Sequence, residues 1–335
     1  MKKIALLSLA LVMILSISVV CAEGFTFGMH VDANPGPSPY YTYEPTDDKD
    51  GNAQIHAIAA AVLVDADGKL VDVMIDSIQS KFPFTAKGEL GKNFPTTFKT
   101  KLELDDDYAM RPASPIGKEW DEQITVLGQY LIGKTAEEIR AIPLEKSAPA
   151  DEELRAGCTM SVDGYIGAVT TAMDNAIAFD GLTADSKVGL AFSSHGNYSY
   201  AATAEKDGFA EAYTHYAGVA MADGKVQAML LDATRCGLAF NTSGKITSGF
   251  DRVLTKKELL EDYAMRPASP IGKEWFEQAA AYEAYMIGKT EADVTATELD
   301  DNKAPVNEEL RAGCTIDISN ALDATVKAIK YAEIY

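Results

Sequence analysis

The sequence has 335 residues, of which 47% are hydrophobic and 24% are charged, and its formal net charge at pH 7 is −20. This length allows two ordinary domains with their own cores, and the composition is that of a globular protein. A chain with such an excess of acidic residues repels nucleic acid and anionic lipid headgroups, so we exclude a nucleic-acid-binding role.

The N-terminal segment is typical of a secretion signal. Two lysines precede an uncharged apolar run at 4–20, and small residues follow. We expect residues 1–22 to be a cleaved signal peptide and the mature protein to be secreted or attached to the cell surface. A lipid-bearing Cys21 and an uncleaved membrane anchor are the two alternatives.

The first pattern after this segment predicts a β-hairpin. The apolar run AIAAAVLV at 57–64 leads into an Asp-Gly-Lys turn, and the alternating run DADGKLVDVMID occupies 65–76. The arrangement returns as HYAGVA at 215–220 and MADGKVQAMLLD at 221–232. Apolar and polar residues that alternate on both sides of an Asp-Gly turn favour two antiparallel strands.

Two short stretches follow each hairpin and recur without a single change. The first island, DYAMRPASPIGKEW, occupies 107–120 and 262–275, and the second island, EELRAGCT, occupies 152–159 and 308–315. Between the islands, only 8 of 22 aligned positions (121–142 against 276–297) are identical. Patches of identity in a diverged background indicate the same local structure or the same ligand in both halves.

Helices are predicted after both islands. Ser114 is a candidate N-cap, and a buried face is predicted from residues three or four positions apart: Trp120, Ile124, Leu127 and Leu131. Thr135 with Glu138, and Thr290 with Asp293, resemble capping boxes of a short second helix. A last helix is predicted after each second island, with these apolar faces: Ile166, Val169 and Met173 in one copy, and Leu322, Val326 and Ile329 in the other.

The order of elements in each half is hairpin, loop, first island, two helices, second island and last helix. The predicted fold class is therefore α+β, with two tandem repeats at 24–180 and 185–335, each an antiparallel sheet packed with helices. Trp120 and Trp275 are expected to be buried at matching positions.

The second island is a candidate phosphate site because it precedes a predicted helix in both halves. Gly157 and Gly313 would let a ligand approach the backbone, while Arg155 and Arg311 would add charge-assisted hydrogen bonds. A plain helix cap is the alternative interpretation.

The cysteines are expected to be small packing residues, with reactive thiols as the alternative. Without Cys21 three remain, an odd number, and Cys158 and Cys314 occupy equivalent places, so we expect no bridge between them. No metal site is expected, because the four histidines show no ligand spacing and no Cys-x-x-Cys occurs.

The two islands of each half are expected to form two walls of one site. Tyrosine and methionine would offer a flat, polarizable surface to a ring, and arginine would bind a phosphate. The residues concerned are Tyr108, Met110 and Arg111 in the first half and Tyr263, Met265 and Arg266 in the second. Alternatively, each island is only a turn with a demanding backbone.

Taken together, these motifs resemble tandem FMN-binding domains. That family contains secreted or membrane-attached flavin carriers related to flavin-bearing components of the sodium-pumping NADH:quinone reductase and of the Rnf-type electron-transport complex, and extracellular electron-transfer lipoproteins of Gram-positive bacteria. The shared features are the Asp-Gly-Lys hairpin, the Ser-Pro-Ile-Gly…Trp helix entry, the Gly-Lys-Thr junction and the loop before the last helix. They cover most of each half.

The resemblance places Thr159 and Thr315 on the threonine that carries FMN through a phosphoester bond, and Gly157 and Gly313 on the glycine of the same motif. Three of the five defining positions differ in both copies: Glu153, Ala156 and Cys158, and Glu309, Ala312 and Cys314. The resemblance thus implies FMN or another phosphate-bearing ligand held without a covalent bond, or a scaffold that has lost it.

The function implied is a secreted flavin (FMN)-binding protein of extracellular or membrane-associated electron transfer, with membrane redox proteins as partners. The alternative is a binding or structural protein of the cell exterior that keeps this fold without a redox cofactor. An enzyme such as a hydrolase is a third possibility, for which the sequence carries no recognisable acid–base or Ser-His-Asp motif.

Overall fold

A computed structural model describes residues 24–36 and 41–334, and the predicted signal peptide, with Cys21, lies outside the described residues. The strands are β1 (Thr26–Pro35), β2 (Gly51–Val64), β3 (Leu70–Phe84), β4 (Thr97–Phe98), β5 (Leu144–Glu145), β6 (Ala148–Pro149), β7 (Ile177–Ala178), β8 (Lys187–His195), β9 (Gly208–Ala222) and β10 (Lys225–Phe240). The helices are α1 (Lys101–Leu104), α2 (Trp120–Leu131), α3 (Ala136–Arg140), α4 (Glu152–Arg155), α5 (Asp163–Asp174), α6 (Lys256–Leu259), α7 (Trp275–Met286), α8 (Glu291–Thr295), α9 (Glu308–Arg311) and α10 (Ser319–Ile334). Short 3₁₀ turns lie at Asp105–Tyr108, Arg111–Ala113, Leu260–Tyr263 and Arg266–Ala268.

Two antiparallel sheets organise the described part of the chain. The first has the strand order β3–β2–β1–β7 and the second the order β10–β9–β8–β4, while β5 and β6 pair separately. Both predicted hairpins are confirmed, since β2 pairs with β3 and β9 with β10 around the Asp-Gly-Lys turns. The fold is therefore α+β and built on antiparallel sheets, as the sequence predicts.

The inner faces of the two sheets pack directly on each other. Their shared core includes Phe27 and Val31 of β1 and Leu190 of β8, and the rings of Phe84 and Phe240 stack with their centroids 4.7 Å apart. Because side chains alternate across a strand, every second residue faces the opposite way and is available to helices. The molecule thus has four layers, in the order helix, sheet, sheet, helix.

Helices cover the outer face of each sheet. The predicted apolar face of α2 is confirmed, since its four residues join one cluster with Ala60 and Val62 of β2. Trp120 and Trp275 are each only 2% exposed, which confirms their predicted burial. The predicted capping boxes of α3 and α8 are also present.

The last helix of each half lies very close to its sheet. A β-carbon on Gly28 would lie 2.0 Å from the carbonyl oxygen of Ala172, and one on Gly189 would lie 1.9 Å from that of Ala328. On α5 the predicted face is buried, whereas Leu322 and Val326 of α10 are only half-buried. The prediction for α10 fails in part because alanines, rather than the larger residues, bring that helix onto the strands.

The two sheets exchange short edge segments. β4, which follows the first hairpin in the chain, pairs with β8 through Thr97–His195 and Phe98–Ser194. In the other direction, the Val253 amide donates to the carbonyl of Ala33 in β1, at 2.9 Å. Each sheet therefore carries an edge segment from the other half, and the proposed boundary at 180–185 does not separate two self-contained sheets.

Candidate ligand-binding site

A buried lysine at the start of a short helix recurs in both halves. Lys101 follows the N-cap Thr100 of α1, and Lys256 follows the N-cap Thr255 of α6. The two lysines are only 6% and 4% exposed. Neither forms an ion pair among the described residues, so each amine depends on other partners.

Aromatic rings of the first island surround these lysines. The Lys101 amine lies 4.9 Å from the ring centroid of Tyr108 and 5.2 Å from that of Trp120. The Lys256 amine lies 4.7 Å from Tyr263 and 5.0 Å from Trp275. Cation–π contacts of this kind stabilise a buried ammonium group. They provide a structural explanation for the presence of the same tyrosine and tryptophan in both copies of the first island.

The hydroxyl that contacts the lysine comes from a different element in each half. Lys101 Nζ donates to Tyr165 of α5 at 3.3 Å, and Trp120 Nε1 donates to the same hydroxyl at 3.0 Å. Lys256 Nζ instead donates to Tyr213 of β9 at 2.5 Å. The position equivalent to Tyr165 in the second half, 156 residues later, is Ala321. In the second half, α10 therefore provides no hydroxyl to the lysine from this position.

Burial changes the acid–base properties of both lysines and of the aspartates near them. It lowers the pKa of Lys101 to about 8, which nearby Asp76 offsets in part. Burial and Arg235 lower the pKa of Lys256 to about 7. Burial likewise raises the pKa of Asp76 to about 7 and that of Asp232 to about 6.

Two separate spaces open beside these lysines. One, which we call the basic groove, has a volume of about 350 Å³ and is lined by these residues among others: Lys81, Lys99, Lys101, Phe98, Gln79 and Tyr108. The other, the aromatic cavity, measures about 180 Å³ and is lined chiefly by Tyr198, Tyr213, Tyr263, Trp275, Lys256 and His215, with Met265 and Asp317 beside them.

The two islands of each half meet through a buried glutamine. Gln123 accepts a hydrogen bond from the Thr159 amide at 2.9 Å and donates to Ser114 Oγ at 3.3 Å. Gln278 makes the same bonds with Thr315, at 2.8 Å, and with Ser269, at 3.1 Å. The two islands of each half are therefore linked by a glutamine of the helix that follows the first island, Gln123 in α2 or Gln278 in α7.

The arginines of the islands pair with carboxylates of the protein or lie exposed. Arg111 pairs with Asp106 at 2.8 Å and with Glu122 at 2.6 Å, and Arg266 pairs with Glu261 at 2.5 Å and with Glu277 at 2.8 Å. Arg311 pairs with Asp300 at 3.0 Å, and Arg155 is exposed. A ligand phosphate at Arg111 or Arg266 would have to displace carboxylates of the protein.

The second island is not the open helix N-terminus that the sequence predicts. It forms the one-turn helix α4, and the amides of Gly157 and Cys158 donate to the Leu154 carbonyl at 3.1 and 2.9 Å. Gly313 and Cys314 repeat these bonds with Leu310. The amides of these glycines and cysteines are thus occupied, because the island closes its own helical turn. The last helices begin four residues after the island, at Asp163 and Ser319.

Glycine and cysteine in the second island have packing roles. A β-carbon on Gly157 would lie 2.7 Å from Val126 Cγ1, and one on Gly313 would lie 2.5 Å from Ala281 Cβ. Cys158 and Cys314 are fully buried in separate clusters, free of disulfides, and burial raises the pKa of each thiol to about 11. The prediction that these cysteines are packing residues is confirmed.

The helix after the first island begins at a different cap from the one predicted. Glu119 and Glu274, not Ser114 and its counterpart, are the N-caps of α2 and α7. The buried Glu119 carboxylate accepts from the amides of Met110 at 2.9 Å and Arg111 at 2.7 Å. Much of the first island is therefore folded around one carboxylate.

The sequence analysis missed the two lysines, although a signal for them was present. Thr100-Lys101-x-Glu103 and Thr255-Lys256-x-Glu258 match at an offset of 155 and both form capping boxes. Lys81 and Lys99 carry no such signal, because strand pairing alone brings them to one groove.

Within residues 24–36 and 41–334, no cluster of histidine, cysteine and acidic side chains is arranged to hold a metal ion. In the same ranges, the helices lack the length and apolar character needed to cross a bilayer. Comparison with protein-family models gave no match, and searches of curated proteins and of solved structures gave no significant match.

Proposed function

We propose that this protein is a secreted FMN-binding protein of extracellular or membrane-associated electron transfer, and that the basic groove holds the flavin without a covalent bond. The observation that carries the proposal is the grouping of Lys81, Lys99 and Lys101 with Tyr108 in one groove, in which these three lysines outnumber the one acidic lining residue, Asp107. The chain as a whole has a charge of −20. A local group of cations on such a protein favours one anionic ligand group, and a phosphate suits it.

The size and walls of the groove agree with a cofactor of this kind. Its volume of about 350 Å³ falls at the lower end of the range of roughly 300–1,000 Å³ for small-molecule sites. Phe98 and Tyr108 offer flat surfaces to an isoalloxazine ring, while the lysines offer donors to a phosphate. The protein would supply binding and electrostatics, and the flavin would supply the redox chemistry.

The tandem-repeat interpretation supports this function and is part of the proposal. In favour of it, positions 155 or 156 apart make the same contacts. Examples are the hydrogen bonds from the threonine amides to the buried glutamines and the cation–π contacts between the buried lysines and the tryptophans. Each repeat would be an FMN-binding-like unit of α+β type, at 24–180 and 185–335. Only the first would carry the basic groove, because Gly237 and Leu254 stand where Lys81 and Lys99 stand in the first half.

Covalent attachment at Thr159 or Thr315 is not part of the proposal. Both hydroxyls lie 3.3–3.4 Å from the oxygen of a buried glutamine, and three of the five motif positions around each threonine differ from the family pattern. The groove residues also differ from those that the sequence singled out, with Tyr108 common to both.

A titration with FMN tests the proposal. We expect the fluorescence of added FMN to be quenched with one site per chain, because aromatic side chains line the groove. Replacing Lys81 and Lys99 together with glutamate should weaken binding at least tenfold, which corresponds to about 1.4 kcal/mol. Lys225→Glu, at the exposed turn of the second hairpin, is the control and should leave binding unchanged.

Two results would reject the flavin function. One is the absence of quenching at FMN concentrations up to the millimolar range, and the other is equal binding by the double variant and the control. Binding of inorganic phosphate without FMN would favour the alternative, a cell-exterior binding protein without a redox cofactor. If FMN binds, photoreduction of the complex and its reoxidation by a soluble acceptor test electron transfer.

A further inference from the structure

The aromatic cavity of the second half contains the buried side-chain amine of Lys256. Lys256 lines the cavity, is 4% exposed overall and has the Tyr213 hydroxyl as its hydrogen-bond acceptor at 2.5 Å. Three aromatic rings, those of Tyr213, Tyr263 and Trp275, lie within 5.0 Å of it. Asp317 lines the same cavity, but among the described residues no carboxylate lies within 4.0 Å of the amine. The charged form is therefore stabilised by the aromatic rings and not by an ion pair.

A second polar group faces the same cavity without a partner. His215 also lines it and is 4% exposed, and its Nδ1 atom is buried with no hydrogen-bond partner among the described residues. Burial and nearby Lys256 lower the pKa of His215 well below its ordinary value, so the ring is neutral. An unsatisfied buried nitrogen costs free energy, and a polar atom of a ligand would remove that cost.

We propose that Lys256 captures a small aldehyde or ketone with a flat apolar body, and forms an imine with its carbonyl carbon. The cavity of about 180 Å³ accommodates a single ring. Its aromatic walls would pack against that ring, and His215 would hydrogen-bond a polar substituent. The Tyr213 hydroxyl, already in contact with Nζ, is placed to pass protons to and from the reacting atoms.

The proposed step balances without an oxidant or reductant. The lone pair of the neutral amine attacks the carbonyl carbon, and one of the two amine protons passes to the carbonyl oxygen to give a neutral carbinolamine. The carbon–oxygen bond then breaks, the oxygen leaves as water with the proton lost from nitrogen, and the C=N bond forms. Nucleophilic lysines are commonly activated in this way by an apolar, desolvating pocket.

The charges around Lys256 support a neutral amine near pH 7. Burial is the main cause of the lowered pKa, followed by Arg235, and two acidic groups, Asp232 and Glu211, act in the opposite direction. The hydroxyls of Tyr213 and Tyr263, whose pKa values are raised by burial, stay protonated and add no negative charge. A larger neutral fraction makes this amine more nucleophilic than an exposed lysine.

Reductive trapping on the intact, FMN-free protein tests the inference. Benzaldehyde and cyanoborohydride at pH 7 convert an imine into a stable benzyl-lysine, which peptide mapping locates. We expect Lys256 to be labelled at least tenfold faster than exposed Lys225 and Lys303, and this preference to disappear in urea. Labelling of Lys256 at the same rate as these lysines, or slower, would overturn the proposal.

Two variants distinguish the reactivity of the Lys256 amine from the contribution of this residue to the fold. Lys256→Met should remove the fast label and leave the other peptides unchanged, with circular dichroism reporting on the fold. Tyr213→Phe keeps the ring but removes the hydroxyl, and should slow labelling of Lys256 several-fold. Because the basic groove is a different place, selective labelling supports this inference whether or not FMN binds.

Discussion

Gly313 illustrates how a single residue of the second island can be fixed by packing alone. Its missing side chain lets α9 and the following turn lie against Ala281 of α7, where a β-carbon would come within 2.5 Å. Ala281 is too short to move aside by changing its rotamer. The backbone itself would have to shift if Gly313 carried a side chain.

We therefore expect Gly313→Ala to lower the free energy of unfolding by about 1–3 kcal/mol, the usual cost of overpacking. The matched control is Gly167→Ala in α5, where nothing lies within 4 Å of the added carbon. That change should instead stabilise the protein by roughly 0.5–1 kcal/mol, because alanine favours a helix over glycine. Urea unfolding measures both, and a gain of stability for Gly313→Ala would contradict the packing role.

Lys101 leads to a pH-dependent prediction at the same scale. Its pKa falls from 10.5 to about 8 in the folded protein, so between these pH values the unfolded chain binds more protons. The buried charge of Lys101 therefore lowers the free energy of unfolding by its full amount below pH 8. This loss of stability disappears as the pH rises towards 10.5. At about 1.4 kcal/mol per pH unit, this shift corresponds to a cost of roughly 3 kcal/mol. Lys101→Met removes this cost but also loses the hydrogen bond to Tyr165, which is worth about 0.5–1.5 kcal/mol.

Lys101→Met should thus raise the free energy of unfolding by about 1–2 kcal/mol at pH 7, with the gain shrinking between pH 8 and 10.5. Asp76 also acts on the Lys101 amine, and burial raises the pKa of Asp76 to about 7, so measurements start at pH 7 and run upwards. Lys225→Met, at an exposed turn, provides the baseline. A gain that stayed constant or increased with pH would show that the amine is not buried as described.

At the scale of secondary-structure elements, the first island folds back on itself to form the cap of α2. The Glu119 carboxylate is 1% exposed and binds three amides, those of Met110, Arg111 and Trp120. Removing a buried acceptor leaves each donor without a partner, at about 1–3 kcal/mol for each group.

Glu119→Ala should therefore destabilise the protein by about 3 kcal/mol or more, and Glu119→Gln by less because one acceptor oxygen remains. Thr135→Ala removes the exposed cap of α3 and should cost only about 1 kcal/mol. Thermal or urea unfolding of the three variants checks this order. Equal losses for Glu119→Ala and Thr135→Ala would show that the island does not depend on this carboxylate.

The elements that the sequence predicted are those fixed by local pattern. Alternation around Asp-Gly turns predicted the hairpins, and three-to-four spacing predicted the buried face of α2. The cap of α2 escaped prediction because Ser-Pro is a common helix start, whereas Glu119 acts through amides eight and nine positions earlier in the chain. The basic groove escaped because Lys81 and Lys99 meet only once β3 and β4 are in place.

For the whole molecule, the shared core makes each half depend on the other. The inner face of the first sheet, with Phe27, Val31 and Phe84, would be exposed to water without the second sheet. Burial of such side chains contributes roughly 1.5–3 kcal/mol each, against a total stability of only about 5–15 kcal/mol for a typical protein.

We expect residues 24–180 and 185–335, produced separately, to be aggregated or unfolded, and to form a one-to-one complex when produced together. Size-exclusion chromatography and thermal melts of each fragment and of the mixture test this. A soluble, monomeric fragment that melts cooperatively by itself would contradict the prediction. The intact chain serves as the reference for the complex.

The exchanged edge segments have a consequence for the order of events during synthesis. Ala33 and Val253, which share a hydrogen bond, are 220 positions apart (253 minus 33). Until that late segment has been made, part of the edge of β1 keeps unpaired backbone groups, which are ready templates for association with other chains. Contacts so distant in sequence also slow folding. A nascent chain of this protein must therefore be kept apart from its neighbours until most of it has been synthesised.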